Sequence, residues 1–325
     1  MPDSQFFGGL AHTHPQATRP NSLASLEIVS TERAVGAEIR GVDLSQPVPP
    51  DLAAELREAW LDRLVLLFRG QYLDAAHYLD AARIFGEPVE GGARRYMKAA
   101  GMTLDDQFPE LTILSNLDES GQPVRDNGGL GSYEIVWHSD NSYVEAPPAG
   151  SCLYSLEVPT HSGNTSFNNQ YLAYETLPDD LKSAIAGKRS KQDASRNSAG
   201  VLRPGLKVPE RPEEVPGPMH PLVRVHPDTG RTALYLGRRR VYPSQTIEGL
   251  DEAKSEALLA RLWAHATRDE LSWTMCGKQA IFWFGTIAAR CITARKSTTP
   301  SAVSCSAPSS PARRRSPPNY KLPKP

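Results

Sequence analysis

The stretch of sequence that decides the fold is Trp137-His138-Ser139-Asp140-Asn141-Ser142-Tyr143. Residues i and i+2 of an extended strand point to the same face, so His138 and Asp140 can bind one metal ion from a single strand. Two histidines and one carboxylate around open coordination positions are the ligand set of non-haem Fe(II) oxygenases. A His-x-Asp triplet taken alone more often belongs to an ordinary protein surface, so the rest of the chain has to decide between the two interpretations.

The surrounding sequence contains further motifs in a fixed order. Residues 146–149 (APPA) and 163–165 (GNT) follow the triplet. The other motifs lie on both sides of it: residues 35–44 (VGAEIRGVDL), 66–71 (LLFRGQ), 85–88 (FGEP), 220–227 (HPLVRVHP), 230–235 (GRTALY) and 264–267 (AHAT). Together they resemble, over residues 24–283, the TauD/TfdA family of 2-oxoglutarate-dependent dioxygenases (taurine dioxygenase-like).

The resemblance implies a role for three residues. His138 and Asp140 would bind Fe(II), and Thr165 would hydrogen-bond a carboxylate of the co-substrate 2-oxoglutarate. The implied reaction hydroxylates a small organic acid, anionic or aromatic, and releases succinate and CO₂. No catalytic residue beyond the metal site is implied. Tyr143 and Tyr235 either line the substrate pocket or pack in the core, and the sequence does not choose between these alternatives.

The family pattern stops at Trp283. Family members continue this tryptophan as Trp-Asp-Asn-Arg-x-x-x-His, followed further along by an arginine that pairs with the distal carboxylate of 2-oxoglutarate. Here the chain reads Trp283-Phe284-Gly285-Thr286, and no histidine occurs after His265. The third iron ligand and the arginine are therefore both missing from the expected place. A rival interpretation follows, in which the chain is a catalytically impaired or inactive remnant of the family.

A shift of reading frame next to Trp283 explains this break. Residues 286–293 (TIAARCIT) can be back-translated so that starting each codon one base earlier gives Asn-Arg-Cys-Thr-Met-His-His, with an Asp codon before it. Residues 303–308 can likewise shift to an arginine-containing ending. A family-like histidine and arginine thus emerge in one frame, and the alternative is a C-terminus that has genuinely diverged.

Hydrophobic patterning predicts a mainly β fold with flanking helices, most simply a double-stranded β-helix (jelly roll) whose last strand is disrupted. It predicts helices over residues 50–63, 74–85, 173–186 and 252–267, strands around residues 26–44, 64–68, 151–158, 164–167, 222–225 and 232–236, and a final strand pair over 271–283. Residues 91–131 and 187–218 are expected to be loops. We expect a flexible leader over 1–23, the dioxygenase domain over 24–284, and a disordered, out-of-frame tail over 285–325.

Charge and composition limit the partners. The tail has eight Lys or Arg and no acidic residue, so removing those eight from the total of 36 leaves 28 basic against 37 acidic residues in the rest of the chain. A body of about −9 argues against nucleic-acid binding. No apolar run is long enough to span a membrane, and there is no signal pattern. We expect a cytoplasmic protein with reduced cysteines and a small-molecule substrate; assembly into a homo-oligomer stays open.

Overall fold

The computed structural model describes residues 20–99, 101, 107–112, 114, 122, 135–156, 164–240, 242–275, 281–286 and 290–294. The predicted leader therefore lies almost wholly outside the described residues, as does the predicted tail beyond residue 294. Of the predicted loop over 91–131, the structure describes residues 91–99, 101, 107–112, 114 and 122.

Helices and strands alternate irregularly along the described chain. The α-helices are α1 (Pro50–Arg63), α2 (Ala75–Arg83), α3 (Arg94–Ala99), α4 (Gln170–Glu175), α5 (Asp179–Ile185) and α6 (Glu252–Ala266). The strands are β1 (Glu27–Ser30), β2 (Ala37–Arg40), β3 (Val65–Phe68), β4 (Ile135–His138), β5 (Gly150–Ser155), β6 (Thr165–Asn169), β7 (Arg189–Lys191), β8 (Met219–Pro221), β9 (Val223–Val225), β10 (Thr232–Leu234), β11 (Ser272–Met275), β12 (Ile281–Thr286) and β13 (Arg290–Ala294). Short 3₁₀ turns cover Leu23–Ser25, Pro212–Glu214 and Asp269–Leu271.

Local sequence explains several of these boundaries. Helix α1 begins with Pro50 at its first position, where the missing N–H costs nothing, and ends at Leu64 in the left-handed conformation (φ 67°). Helix α2 is capped by Asp74, whose carboxylate accepts a hydrogen bond from the His77 backbone N–H at 2.8 Å. The predicted helices over 50–63, 74–85 and 252–267 are confirmed. So are the buried strand β3 and the β9–β10 hairpin.

A five-stranded sheet, in the order β1-β2-β3-β12-β5, forms one half of the fold. Only the β2–β3 pair is parallel; the other neighbours are antiparallel. Leu66 and Phe68 on one face of β3 share a buried cluster with Leu56 of α1, Tyr78 of α2 and Phe284 of β12. The helices α1 and α2 therefore cover one face of this sheet.

A four-stranded sheet, in the order β11-β6-β13-β4, forms the other half. A second buried cluster joins the two sheets, because it contains Val65 and Leu67 of β3 together with Phe167 of β6 and Met275 of β11. The two sheets thus pack face to face, and the side chains between them alternate with outward-facing ones along each strand. Helices α4, α5 and α6 pack with Leu222 and Leu234 in a third cluster. None of the described helices is both long and apolar enough to cross a bilayer.

Several sequence predictions of secondary structure are wrong. The helix predicted over 173–186 is two helices, α4 and α5, because Pro178 lacks the backbone N–H that would continue the helix. The final strands β11 and β12 do not pair with each other but belong to different sheets. Residues 91–131 and 187–218 were expected to form loops, yet they include helix α3 and strand β7, respectively.

The prediction that the last strand is disrupted is wrong for residues 290–294. Strand β13 lies between β6 and β4 and pairs antiparallel with both, with a shift of register against β4 between Ile292 and Ala294. Backbone groups make these hydrogen bonds whatever the side chain, and β-branched residues such as Ile292 and Thr293 favour strands. Compositional arguments for disorder therefore failed at this point.

Candidate metal centre

Strand β4 positions the first candidate ligand. Trp137 is directed into the cluster around α4 to α6, so His138 lies on the opposite face of the strand. The His138 side chain is only 8% exposed. Its Nδ1 lies 2.8 Å from the Val136 carbonyl oxygen and its Nε2 lies 3.1 Å from Oδ1 of Asp140. The two predicted ligands are therefore in contact.

Asp140 reaches this position from a turn rather than from the strand. Strand β4 ends at His138, and the following Asn141 adopts the left-handed conformation (φ 51°), which asparagine tolerates better than most residues. The strand spacing argument that paired the two side chains was thus wrong about the local backbone at Asp140. The turn nevertheless directs its carboxylate to the imidazole.

The chemistry of this pair suits a divalent metal. A carbonyl oxygen can only accept, so in the neutral imidazole Nδ1 of His138 donates its proton to Val136 and Nε2 keeps its lone pair. That lone pair then faces an ionised carboxylate at 3.1 Å, an arrangement that a cation between the two atoms stabilises. A second-sphere carbonyl holding Nδ1–H is the usual support for a metal-binding histidine. The residues present therefore fit an iron ion, as two of its ligands.

Thr165 lies on the same face of the four-stranded sheet. It is the first residue of β6 and pairs with Ala294 of β13, while Ile292 of β13 pairs with both Phe167 and His138. Directly opposed residues and those two apart share a face. One strand separates β4 from β6, so their backbones are roughly 10 Å apart. The structure thus brings His138 and Asp140 into contact and places Thr165 across β13 from them.

The register of β13 against β4 shows which residue stands opposite His138. Ile292 is the residue of β13 directly opposite His138. Within the described ranges, no group of three His, Cys, Asp or Glu side chains could hold a metal ion. The described donors therefore number two, one short of the facial set of three.

A buried arginine next to the two proposed metal ligands, His138 and Asp140, was not predicted from sequence. Arg238 forms a β-bridge with His138, and next to it the Ser139 N–H donates to the Gly237 carbonyl at 2.8 Å. Its guanidinium donates to the backbone carbonyls of Asp193 and Arg196 at 3.2 and 2.7 Å. Burial lowers the pKa of Arg238 to about 10, and other arginines nearby add to the effect. The side of the site next to His138 is therefore positively charged.

Tyr143, three residues after the proposed ligand Asp140, contacts a second buried arginine. The ring is buried, and its hydroxyl donates to Oδ1 of Asn141 at 3.1 Å. The Arg203 Cζ lies 4.1 Å from the ring centroid. Burial raises the pKa of Tyr143, while the charge of Arg203 and its hydrogen bond oppose that rise. Tyr143 is therefore a buried, neutral ring in contact with Arg203. Tyr235 is buried as well.

A cavity of about 560 Å³ adjoins this region. Val136, two residues before His138 on β4, is 40% exposed and lines this cavity. The volume is within the range of small-molecule sites. The rest of the lining includes six charged or polar residues: Asp193, Ser195, Arg196, Arg239, Arg240 and Ser244.

Two packed β-sheets with helices outside and a His-x-Asp pair at the end of the edge strand β4 are typical of a class of metal-dependent β-fold enzymes. The particular family follows from comparison with known proteins. Residues 27–278 match the model of the family described as "Taurine catabolism dioxygenase TauD, TfdA family". That match covers well over half of the chain, and the chain belongs to this family of α-ketoglutarate-dependent dioxygenases.

Several characterised relatives have the same kind of activity in their names. The chain is 31% identical over 237 residues to an α-ketoglutarate-dependent 2,4-dichlorophenoxyacetate dioxygenase of Cupriavidus pinatubonensis, covering 72% of this chain and 79% of that protein. It is 30% identical over 263 residues to an α-ketoglutarate-dependent sulfate ester dioxygenase of Pseudomonas putida, covering 78% of each. These relatives are oxidoreductases, so the chain descends from an enzyme family.

Solved structures agree with this assignment. A taurine dioxygenase from Burkholderia xenovorans superposes with a TM-score of 0.67 at 27% identity, covering 87% of this chain and 89% of that one. A structure of AAD-2 in complex with Mn(II) and N-oxalylglycine superposes with a TM-score of 0.71 at 23% identity, covering 89% and 99%. The second likeness supports the fold alone.

Proposed function

We propose that this protein is an Fe(II)- and 2-oxoglutarate-dependent dioxygenase that hydroxylates a small organic acid and releases succinate and CO₂, on a double-stranded β-helix fold. The observation that carries the proposal is the contact between Nε2 of His138 and the Asp140 carboxylate, with Nδ1 held by Val136. That arrangement presents two donors of the correct chemical types on one face.

Each residue of the proposed site has a separate role in binding iron or 2-oxoglutarate. His138 and Asp140 would hold the iron, and Thr165 would donate its hydroxyl proton to a carboxylate of 2-oxoglutarate. Bound iron supplies the oxidising chemistry from O₂ and the keto acid, whereas the protein orients the substrate and excludes water. The buried apolar residues Leu67, Phe167 and Met275, between the sheets, would exclude water from the base of the site.

The proposed substrate is anionic. The curated relatives are named for 2,4-dichlorophenoxyacetate and for sulfate esters, both of which carry an acidic group. Three arginines, Arg196, Arg239 and Arg240, line the cavity beside β4, and Arg238 is buried against His138. This charge balance favours an acid over a neutral or cationic molecule. A cytoplasmic location is part of the proposal.

The second candidate function is an impaired remnant of the enzyme. Its support is the register position opposite His138, which is occupied by Ile292 rather than by a third donor. Two protein ligands hold Fe(II) weakly, so such a chain would keep the fold and lose most of the turnover.

The proposal is tested by measuring succinate after prolonged incubation of the chain with Fe(II) and 2-oxoglutarate. The candidate substrates are phenoxyacetate, an alkyl sulfate and taurine. We expect the unchanged chain to form succinate above the level of Asp140→Ala, because that substitution removes one of two described iron ligands. Asp80→Ala is the matched control, since Asp80 is a surface residue paired with Arg83. Succinate equal in the unchanged and Asp140→Ala chains would support the remnant instead.

A further inference from the structure

We propose that Arg203 anchors the acidic group of the substrate; this rests on the proposed function and names a residue for it. Arg203 is a buried side chain, 7% exposed, in the segment after β7. Its Cζ lies 4.1 Å from the ring centroid of Tyr143 and 4.9 Å from that of Tyr96. Two aromatic rings therefore fix the position of the guanidinium by cation–π contact.

The charge of Arg203 lacks a matching carboxylate. Arginine keeps its charge in proteins, and burying an unpaired charge is costly. Among the described residues, no carboxylate forms an ion pair with Arg203, and its Nε has no hydrogen-bond partner. The buried group thus retains donor capacity for an anion that arrives with a ligand.

The surrounding charges do not neutralise it. Arg203 lies close enough to Arg238 to lower the pKa of that group, and Arg240 acts in the same direction. Asp193 is the buried acid of this cluster; its Oδ1 accepts from the Ser195 N–H at 2.7 Å, and its Oδ2 has no hydrogen-bond partner among the described residues. Three arginines against one described buried aspartate leave an excess of positive charge, which favours an anionic ligand.

The position of Arg203 matches the proposed reaction. Tyr143 lies three residues after Asp140, its hydroxyl donates to Oδ1 of Asn141 at 3.1 Å, and its ring contacts the Arg203 guanidinium. An acid held by Arg203 would therefore lie beside the Tyr143 ring, three residues along the chain from Asp140. Guanidinium groups bind carboxylates and sulfates through two parallel N–H···O bonds, which fixes orientation as well as affinity.

The test measures binding without iron, using the full chain. Isothermal titration calorimetry at low ionic strength is run with phenoxyacetate and with hexyl sulfate, which distinguish a carboxylate from a sulfate ester. We expect Arg203→Met to weaken binding of the preferred probe by at least about 30-fold, as for loss of a buried charged contact. Arg203→Lys should weaken it less, because lysine keeps the charge and loses the two-point geometry.

The control is Arg211→Met, in the same segment, because Arg211 is 72% exposed and pairs with Glu214 at the surface. It should bind the probes like the unchanged chain. Equal affinity in Arg203→Met, absence of probe binding to the unchanged chain, or equally tight binding of neutral phenoxyethanol would each overturn the assignment. If Arg203→Met does not unfold cooperatively, the Arg203→Lys variant is used in its place. An affinity of Arg203→Lys for the preferred probe equal to that of the unchanged chain would then reject Arg203 as the anchor.

This outcome is separable from that of the proposed function. Binding that depends on Arg203, without succinate in the incubation assay, would reject turnover and keep the anion site. Succinate formation with unchanged kinetics in Arg203→Met would reject the anchor and keep the dioxygenase. The two proposals therefore fail through different measurements.

Discussion

Replacing Ile292 by histidine should raise the affinity of the chain for Mn(II) or Fe(II) by at least about tenfold, the scale on which single contacts at metal sites act. Ile292 of β13 is paired directly with His138 of β4. Opposed residues of antiparallel strands share a face and have Cβ atoms about 5 Å apart. A histidine at this position would supply a third donor beside His138 and Asp140.

Cys291→His is the matched control for that substitution. Cys291 is the preceding residue of the same strand, and its register partner is Asn168 of β6 rather than His138. We expect it to leave Mn(II) affinity unchanged, as measured by titration calorimetry and by the electron paramagnetic resonance of free Mn(II). Equal gains from both substitutions, or no gain from Ile292→His, would show that β13 does not occupy the ligand position.

Replacing Phe284 by alanine should lower the free energy of unfolding by about 3–5 kcal/mol, the usual cost of deleting a buried phenylalanine. Phe284 is fully buried on β12, the strand between β3 and β5. Its ring stacks on the Phe85 ring, with the two ring centroids 4.1 Å apart. It forms a T-shaped contact with the Trp60 ring, with centroids 4.8 Å apart. The first residue beyond Trp283, where the family pattern stops, is thus a core residue.

Urea denaturation followed by tryptophan fluorescence measures this change. Val225→Ala is the control, because Val225 is 64% exposed and its truncation should stay within about 0.5 kcal/mol. A loss below about 1 kcal/mol for Phe284→Ala would mean that the chain beyond Trp283 does not build the core as described.

Local patterns were enough to predict much of the framework. Helix α1 could be predicted because Pro50 marks its start and apolar residues follow at helical spacing, and β3 because four apolar residues run together. The contact between His138 and Asp140 was also predictable from a short motif. Pro178 was misjudged, since the apolar spacing continues across it although the helix does not.

Long-range features could not be predicted in this way. Arg203 meets Tyr96 and Tyr143 only through the fold, and neither its sequence neighbours nor its spacing indicates the contact. Strand β13 was missed because a basic, acid-free composition indicates disorder, whereas its place between β4 and β6 depends on backbone pairing with distant strands. The run Arg238-Arg239-Arg240 was the one sequence signal of the cationic region, and it carried no spacing that pointed to a site.

The frame shift proposed next to Trp283 bears directly on the central claim, that the chain as written has an incomplete iron site. The decisive measurement is the rate of 2-oxoglutarate decarboxylation by the chain as written and by a chain restored to the shifted frame, at equal iron. The restored chain regains a histidine and an arginine, and loss of a charged contact alone costs roughly 30-fold or more in affinity. We expect the restored chain to turn over at least about 30 times faster, and the written chain to turn over slowly but above the level of Asp140→Ala. Equal rates would contradict the account, because the missing histidine would then be unnecessary or replaced.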